Sequence, residues 1–159
     1  MAGLPQLFED DIRQLDAVLR EFLERTEATT ALLVDQGGFL ITHQGDGQRF
    51  DLTTLGALAS GAFMATQTLA QLLQEESFES VYQAGQQHSL FITHVNEQCL
   101  LAVVFRAQVG VGIVKYFVGP TRERIARQLE LAHLRDPSVT LDLSVLNVAD
   151  TSNVFKRRA

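Results

Sequence analysis

Apolar residues recur along this chain with two periods. Over residues 8–26, Ile12, Leu15, Val18, Leu19, Phe22 and Leu23 stand three or four apart, the stripe of an amphipathic helix. Glu9, Asp10 and Asp11 lie near its start, where carboxylates complement the positive end of the helix dipole. Residues 29–35 and 39–43 are short β-rich runs around Gly37-Gly38 and predict a hairpin. Asp51 is placed to cap a helix over residues 52–74. A third β region spans residues 78–84. Two strong strands, 89–95 and 98–106, then flank a turn at Asn96-Glu97. That turn sets Val95 opposite Gln98, His94 opposite Cys99 and Thr93 opposite Leu100. It groups Leu90, Ile92, Cys99, Leu101 and Val103 on one face, and Phe91, Val95, Leu100, Ala102 and Val104 on the other.

Both faces are apolar, so both need cover. After a link at residues 109–112, residues 113–134 read as a helix interrupted at Gly119-Pro120, with residues 121–135 its regular part. Residues 113–118 fit either a helical turn or an extended segment. The predicted order is α-β-β-α-β-β-β-α. It is an α+β, three-layer α/β/α sandwich around a five-stranded antiparallel sheet. The first and last helices cover one face and the central helix the other. Residues 1–136 form this domain. Residues 137–159 are a tail in which Val139, Leu141, Leu143 and Val145 alternate with polar residues and Lys156, Arg157 and Arg158 follow. The tail reads as a docking segment, or as disorder in the free protein.

The central helix is rich in small residues. Ala57, Gly61 and Ala65 stand four apart on one face, and each interior glycine costs about 0.8–1.0 kcal/mol relative to alanine. Close approach of another helix is the usual compensation. One helix on a five-stranded face also leaves apolar surface, which a homodimer pairing these helices would cover.

Composition narrows the function. Hydrophobic residues make up 46% and charged residues 20%, the profile of a globular domain. A net charge of −6 argues against phosphate-driven nucleic-acid binding and against adsorption to anionic membranes. Cys99 is the lone cysteine, which excludes an internal disulfide framework and fits a reducing compartment. No membrane span or signal peptide is read, and the expected location is cytoplasmic.

Candidate chemistry is sparse. Gly110-Val111-Gly112 lacks the rest of a dinucleotide or phosphate-loop motif. Ser60 lies mid-helix without a strained turn to present it as a nucleophile, and helix packing is the preferred reading. His43, His88, His94 and His133 lack metal-ligand spacing. His94 beside Cys99 would be half a site, where structural zinc takes four ligands. Gly45-Asp46-Gly47 lacks the further carboxylates of a calcium loop. Glu75, Glu76 and Glu79 read as solvated charge, with partner contact the alternative. No catalytic residue, cofactor or metal is assigned, and no enzyme active site is expected.

The runs Ala31-Leu32-Leu33-Val34-Asp35, Gly38-Phe39-Leu40-Ile41, Leu90-Phe91-Ile92-Thr93, Leu100-Leu101-Ala102-Val103-Val104-Phe105 and Val111-Gly112-Ile113-Val114-Lys115-Tyr116 resemble, in order and spacing, those of the roadblock family. The central run Ala65-Thr66-Gln67-Thr68-Leu69-Ala70-Gln71-Leu72-Leu73 is most similar to bacterial members of the MglB type. The likeness spans residues 8–134. Gly119-Pro120 departs from it, because the family's final helix is usually continuous.

The resemblance implies a homodimer with paired central helices and a sheet continued through the third strand. It implies binding of a Ras-like small GTPase of the MglA type and stimulation of its GTP hydrolysis without an arginine finger. It further implies a role in cell polarity or gliding motility, with enrichment at a cell pole. On this reading Ser60, Phe63, Thr66, Gln67 and Gln71 contact the partner, as do Val154, Phe155 and Lys156 in the tail. Phe63 has a second reading as plain core. Ala57, Gly61, Ala65, Val81 and Tyr82 form the dimer contact. The alternative functions are a scaffold that recruits a partner, or a nucleotide-exchange factor. A small-molecule sensor ranks last, for want of convergent polar groups.

Overall fold

The computed structural model describes residues 3–135. The first apolar stripe forms α1 (Glu9–Thr26), with Leu15, Val18, Leu19 and Phe22 on its buried side. The Asp11 carboxylate accepts the Phe8 backbone N–H at 2.9 Å and closes the first turn. Strands β1 (Thr30–Asp35) and β2 (Leu40–Gly45) form the hairpin. Gly45 lies at φ +98°, and a Cβ there would stand 2.1 Å from the Thr29 carbonyl oxygen, so only glycine fits. Helix α2 (Leu52–Leu72) begins where the Asp51 carboxylate accepts the Thr54 N–H at 3.1 Å. Strands β3 (Ser80–Gln83), β4 (His88–Asn96) and β5 (Cys99–Arg106) follow, then α3 (Val111–Leu134).

The five strands are antiparallel in the order β2-β1-β5-β4-β3. Central β1 and β5 are buried on both faces, as their unbroken apolar runs require. On one face α1 and α3 enclose a core that includes Phe22, Leu33, Phe91, Leu101, Phe105 and Ile125. On the other, α2 packs Ala59 and Phe63 over Leu32, Val34, Ile92, Leu100 and Ala102. The three-layer α+β sandwich is as expected.

Three local expectations are corrected. The β4–β5 turn is Glu97-Gln98, because Asn96 pairs with Cys99 and its Oδ1 accepts the Gln98 N–H at 2.9 Å. Val95 is then an extra residue on β4, a bulge, and His94 faces Leu100, not Cys99. A one-residue slip exchanges the faces of a strand. Cys99, Leu101 and Val103 therefore join Phe91 and Val95 under α1 and α3, while Leu100 and Ala102 join Ile92 under α2.

Second, α3 runs unbroken through Gly119-Pro120 and starts at Val111, inside the segment read as a link. Pro120 is exposed, whereas Val114, Val118, Thr121, Ile125 and Leu129 are buried. A proline costs a helix interior about 3 kcal/mol, and full burial of each large apolar side chain returns about 1.5–3 kcal/mol. The stripe outweighs the proline. Third, β3 is shorter than the run of β-rich residues: the Phe78 and Glu79 carbonyls are taken by the side chains of Gln67 and Thr93, and residues 84–87 turn back toward β4.

Candidate partner-binding face on the central helix

Helix α2 carries no charged residue in its 21 positions. Its inner side is closely fitted. A Cβ on Gly56 would stand 3.2 Å from Val34 Cγ2, so this glycine lets the helix approach β1. The Ser60 hydroxyl is buried and donates to the Gln36 carbonyl at 3.0 Å, tying the helix to the first hairpin turn. Phe63 is 7% exposed and packs in the core, its ring 6.0 Å from that of His94.

The outer side of α2 has no cover. Ala57, Gly61 and Ala65 are exposed, and nothing lies within 4 Å of a Cβ built on Gly61. Leu58, Met64, Leu69, Leu72 and Leu73 are each more than half exposed. Leu58, Ala65, Leu69 and Leu72 recur at helical spacing and so form one apolar stripe beside the small residues. A helix normally turns charged or polar side chains to water on its far side. This one turns leucine, alanine and glycine outward, the pattern of a second buried surface.

The positions read as partner contacts do not share one side. Gln71 is exposed. Thr66 and Gln67 are half-buried on opposite flanks. The Thr66 hydroxyl donates back to the Ala62 carbonyl at 2.9 Å. Gln67 Nε2 donates to the Phe78 carbonyl at 2.8 Å and holds the segment before β3 against the helix. Val154, Phe155 and Lys156 lie outside the described residues.

Strand β3 is a sheet edge beside this face. Val81 is half-buried over the α2-side core. Tyr82 points to the other face and stacks on Phe105 at 6.2 Å. Beyond the start of β3, His94 is left at the edge of β4. Its Nε2 stands 3.4 Å from an Arg122 guanidinium nitrogen on α3. Burial and the Arg122 charge hold the His94 imidazole below its ordinary pKa, against a smaller opposing pull from Glu79.

Among the described residues, no group of three or more His, Cys, Asp or Glu side chains is placed to hold a metal. Cys99 is buried, and desolvation with the nearby Asp35 charge pushes its thiol up to about 12. A cleft of ≈ 480 Å³ lies between α1 and α3, where Glu21 bridges Arg25 and Arg124 at 3.0 and 2.5 Å. The facing charges there satisfy one another. No helix among the described residues is long and apolar enough to cross a membrane.

Comparison with known proteins agrees with this architecture. The Roadblock/LC7 domain family matches residues 14–105. The chain belongs to this family. Three solved structures are similar over most of the domain. One, described as MglB with tetrameric arrangement, is 31% identical with a TM-score of 0.76, covering 83% of this chain and 99% of that one. The gliding protein MglB from Thermus thermophilus is 32% identical with a TM-score of 0.74, covering 82% and 98%. Myxococcus xanthus MglB is 27% identical with a TM-score of 0.74, covering 80% and 96%. No curated protein matches the chain significantly.

In this roadblock domain the outward leucines of α2 escaped the sequence reading, which chose the small residues alone. Their signal was available: a 21-residue helix without one charge, and with leucines spaced around its axis, cannot bury all of them against one sheet. The role of Arg122 beside His94 had no such signal, because it depends on where β3 begins.

Proposed function

We propose that this roadblock protein is a homodimeric regulator of a Ras-like small GTPase of the MglA type and stimulates its GTP hydrolysis. The charge-free α2 with its exposed leucine stripe is the observation that carries the reading. In a dimer the stripe packs against its counterpart, with Ala57, Gly61 and Ala65 permitting close approach. Val81 and Tyr82 lie on the unpaired edge strand β3, which continues the sheet into the second copy.

The likeness to three MglB structures supports the choice of GTPase. Gln71, with Thr66 and Gln67 on the flanks of α2, forms the contact surface, and Ser60 and Phe63 hold that surface from beneath. No arginine stands on α2. As the family resemblance implies, stimulation works by positioning the GTPase's own catalytic groups, not by an arginine finger. Residues 1–136 act as the domain and residues 137–159 as a tail that reaches the GTPase through Val154, Phe155 and Lys156. The cellular role is in polarity or motility, from a cytoplasmic pool enriched at a pole.

Single-turnover GTP hydrolysis by the cognate GTPase, titrated with this protein, tests the proposal. The expected result is a saturating rise at two copies per GTPase. Binding with an unchanged rate would replace activation by scaffolding or nucleotide exchange. Absence of binding would overturn the assignment of partner.

A further inference from the structure

A cleft of ≈ 320 Å³ lies on the α3 side of the sheet, between α3 and the paired residues Ser80 of β3 and Thr93 of β4. Lys115, Gly119 and Arg122 stand on its α3 wall. Lys115 and Arg122 are seven residues apart, two helical turns, so they share one side of α3 with about 10.5 Å of rise between them. Gly119 stands between them, and nothing lies within 4 Å of a Cβ built there. Two long cationic side chains can therefore close on one small group over a wall that carries no side chain. Across the cleft the Thr93 hydroxyl donates to the Glu79 carbonyl at 2.8 Å and so holds Glu79 at the rim.

The charges in this cleft do not satisfy one another. Lys115, Arg122 and Glu79 make no ion pair among the described residues, whereas Glu21 in the α1–α3 cleft bridges two arginines. Arg122 instead meets an imidazole nitrogen, His94 Nε2. The Ser80 hydroxyl has no hydrogen-bond partner among the described residues. Two cations and a free hydroxyl thus surround a space with one carboxylate at its edge. This set matches an oxyanion that still carries a proton. The cations and Ser80 donate to its oxygens, and Glu79 accepts its O–H. Hydrogen phosphate keeps such an O–H at neutral pH. Sulfate has none, and a phosphomonoester has mostly lost its own by pH 7, because its second pKa is about 6. We propose that this cleft is a binding site for inorganic phosphate. It uses neither the α2 stripe nor Val81 and Tyr82.

Arg122 joins the site to the other layer of the fold. The His94 ring that it meets lies 6.0 Å from the ring of Phe63 on α2. Arg122 and Glu79 are the charged groups that act on His94, and α2 carries no charge. Phosphate held by Arg122 offsets the guanidinium charge and brings negative charge toward the imidazole. The His94 pKa then rises, since a nearby opposite charge favours the protonated ring. Occupancy of the cleft is thereby felt beneath the α2 face.

NMR titration of the imidazole signals of the full chain, at constant ionic strength, tests this without any GTPase. The chain has four histidines, and H94Q assigns the signal of His94. Sodium phosphate is expected to raise the His94 pKa by about half a unit, saturably, with a Kd on the order of 1 mM. The other three imidazoles should stay where they are. K115E, at an exposed position, should weaken the effect at least about tenfold. Sulfate and methyl phosphate should bind at least about fivefold more weakly than phosphate near pH 7.5. E79Q, whose amide can donate, should bring sulfate level with phosphate. An equal response of all four histidines, no saturation by about 50 mM, an unchanged Kd in K115E, or sulfate or methyl phosphate binding as well as phosphate to the unaltered chain would each overturn the proposal. The GTPase assignment is untouched by any of these results.

Discussion

Replacing Pro120 with alanine should stabilise the protein, although it removes a residue that the fold accommodates. Pro120 sits in the interior of α3, on its exposed side, with no N–H to donate to the Tyr116 carbonyl one turn earlier. The lost hydrogen bond and the ring's clash with that carbonyl cost about 3 kcal/mol in a helix interior. The proline returns roughly 0.4–1 kcal/mol by stiffening the unfolded chain. The net gain for P120A is then about 2 kcal/mol. Equilibrium urea unfolding followed by circular dichroism measures it. With a slope of about 1–3 kcal/mol/M, the midpoint should rise by about 1 M. Wild type and variant must be compared at one protein concentration, because self-association adds to apparent stability. Gly119 has open space around its Cβ position, so G119A should add about 0.8–1.0 kcal/mol. A lower midpoint for P120A would refute the reasoning. It would mean that the helix is bent to fit the proline and that alanine cannot restore the missing bond.

Two other glycines should behave oppositely. G45A, with its Cβ 2.1 Å from a backbone oxygen, should destabilise the fold by about 3 kcal/mol or more in thermal unfolding. G61L meets nothing within 4 Å and should leave the monomer folded while raising the self-dissociation constant at least about tenfold in sedimentation velocity. His94 is held below its ordinary pKa in the folded state, so protons bind the unfolded chain preferentially and stability falls as pH drops below the unfolded value near 6.5. In H94Q that part of the acid-side loss should vanish from a pH series of unfolding midpoints. The Cys99 thiol, buried and raised to about 12, should resist a thiol reagent at pH 8 until denaturant is added.

The layers and their order were legible because they follow from periodicity. Six apolar residues in α1 and the two-faced apolar runs of β4 and β5 determine which elements need cover and on how many sides. The β4–β5 register was not legible, since Asn96-Glu97 and Glu97-Gln98 are both acceptable turns. Val95 is apolar in either arrangement, so hydrophobicity does not betray the bulge. The continuity of α3 was hidden for another reason. Local preference at Gly119-Pro120 opposes helix, and only the buried stripe from Val114 to Leu129 shows that packing prevails. On α2 the small residues were legible as an outward face. Ser60 and Phe63 differ from them only by rotation about the helix axis, which a 3.6-residue period leaves undetermined until one side meets the sheet.

A face without charges has no code for orientation. Salt bridges across paired helices ordinarily tell parallel from antiparallel and self from non-self, and α2 has none to offer. In the proposed dimer the geometry of pairing must then be dictated by the neighbouring sheet edge, whose backbone groups accept only certain alignments. The same neutrality makes identity easy to rewrite. One copy bearing glutamate at Ala65 and another bearing lysine there would each be disfavoured from pairing with themselves and favoured to pair together. Such a matched pair would turn the proposed symmetric dimer into one with two distinguishable halves, so that each half could be altered alone.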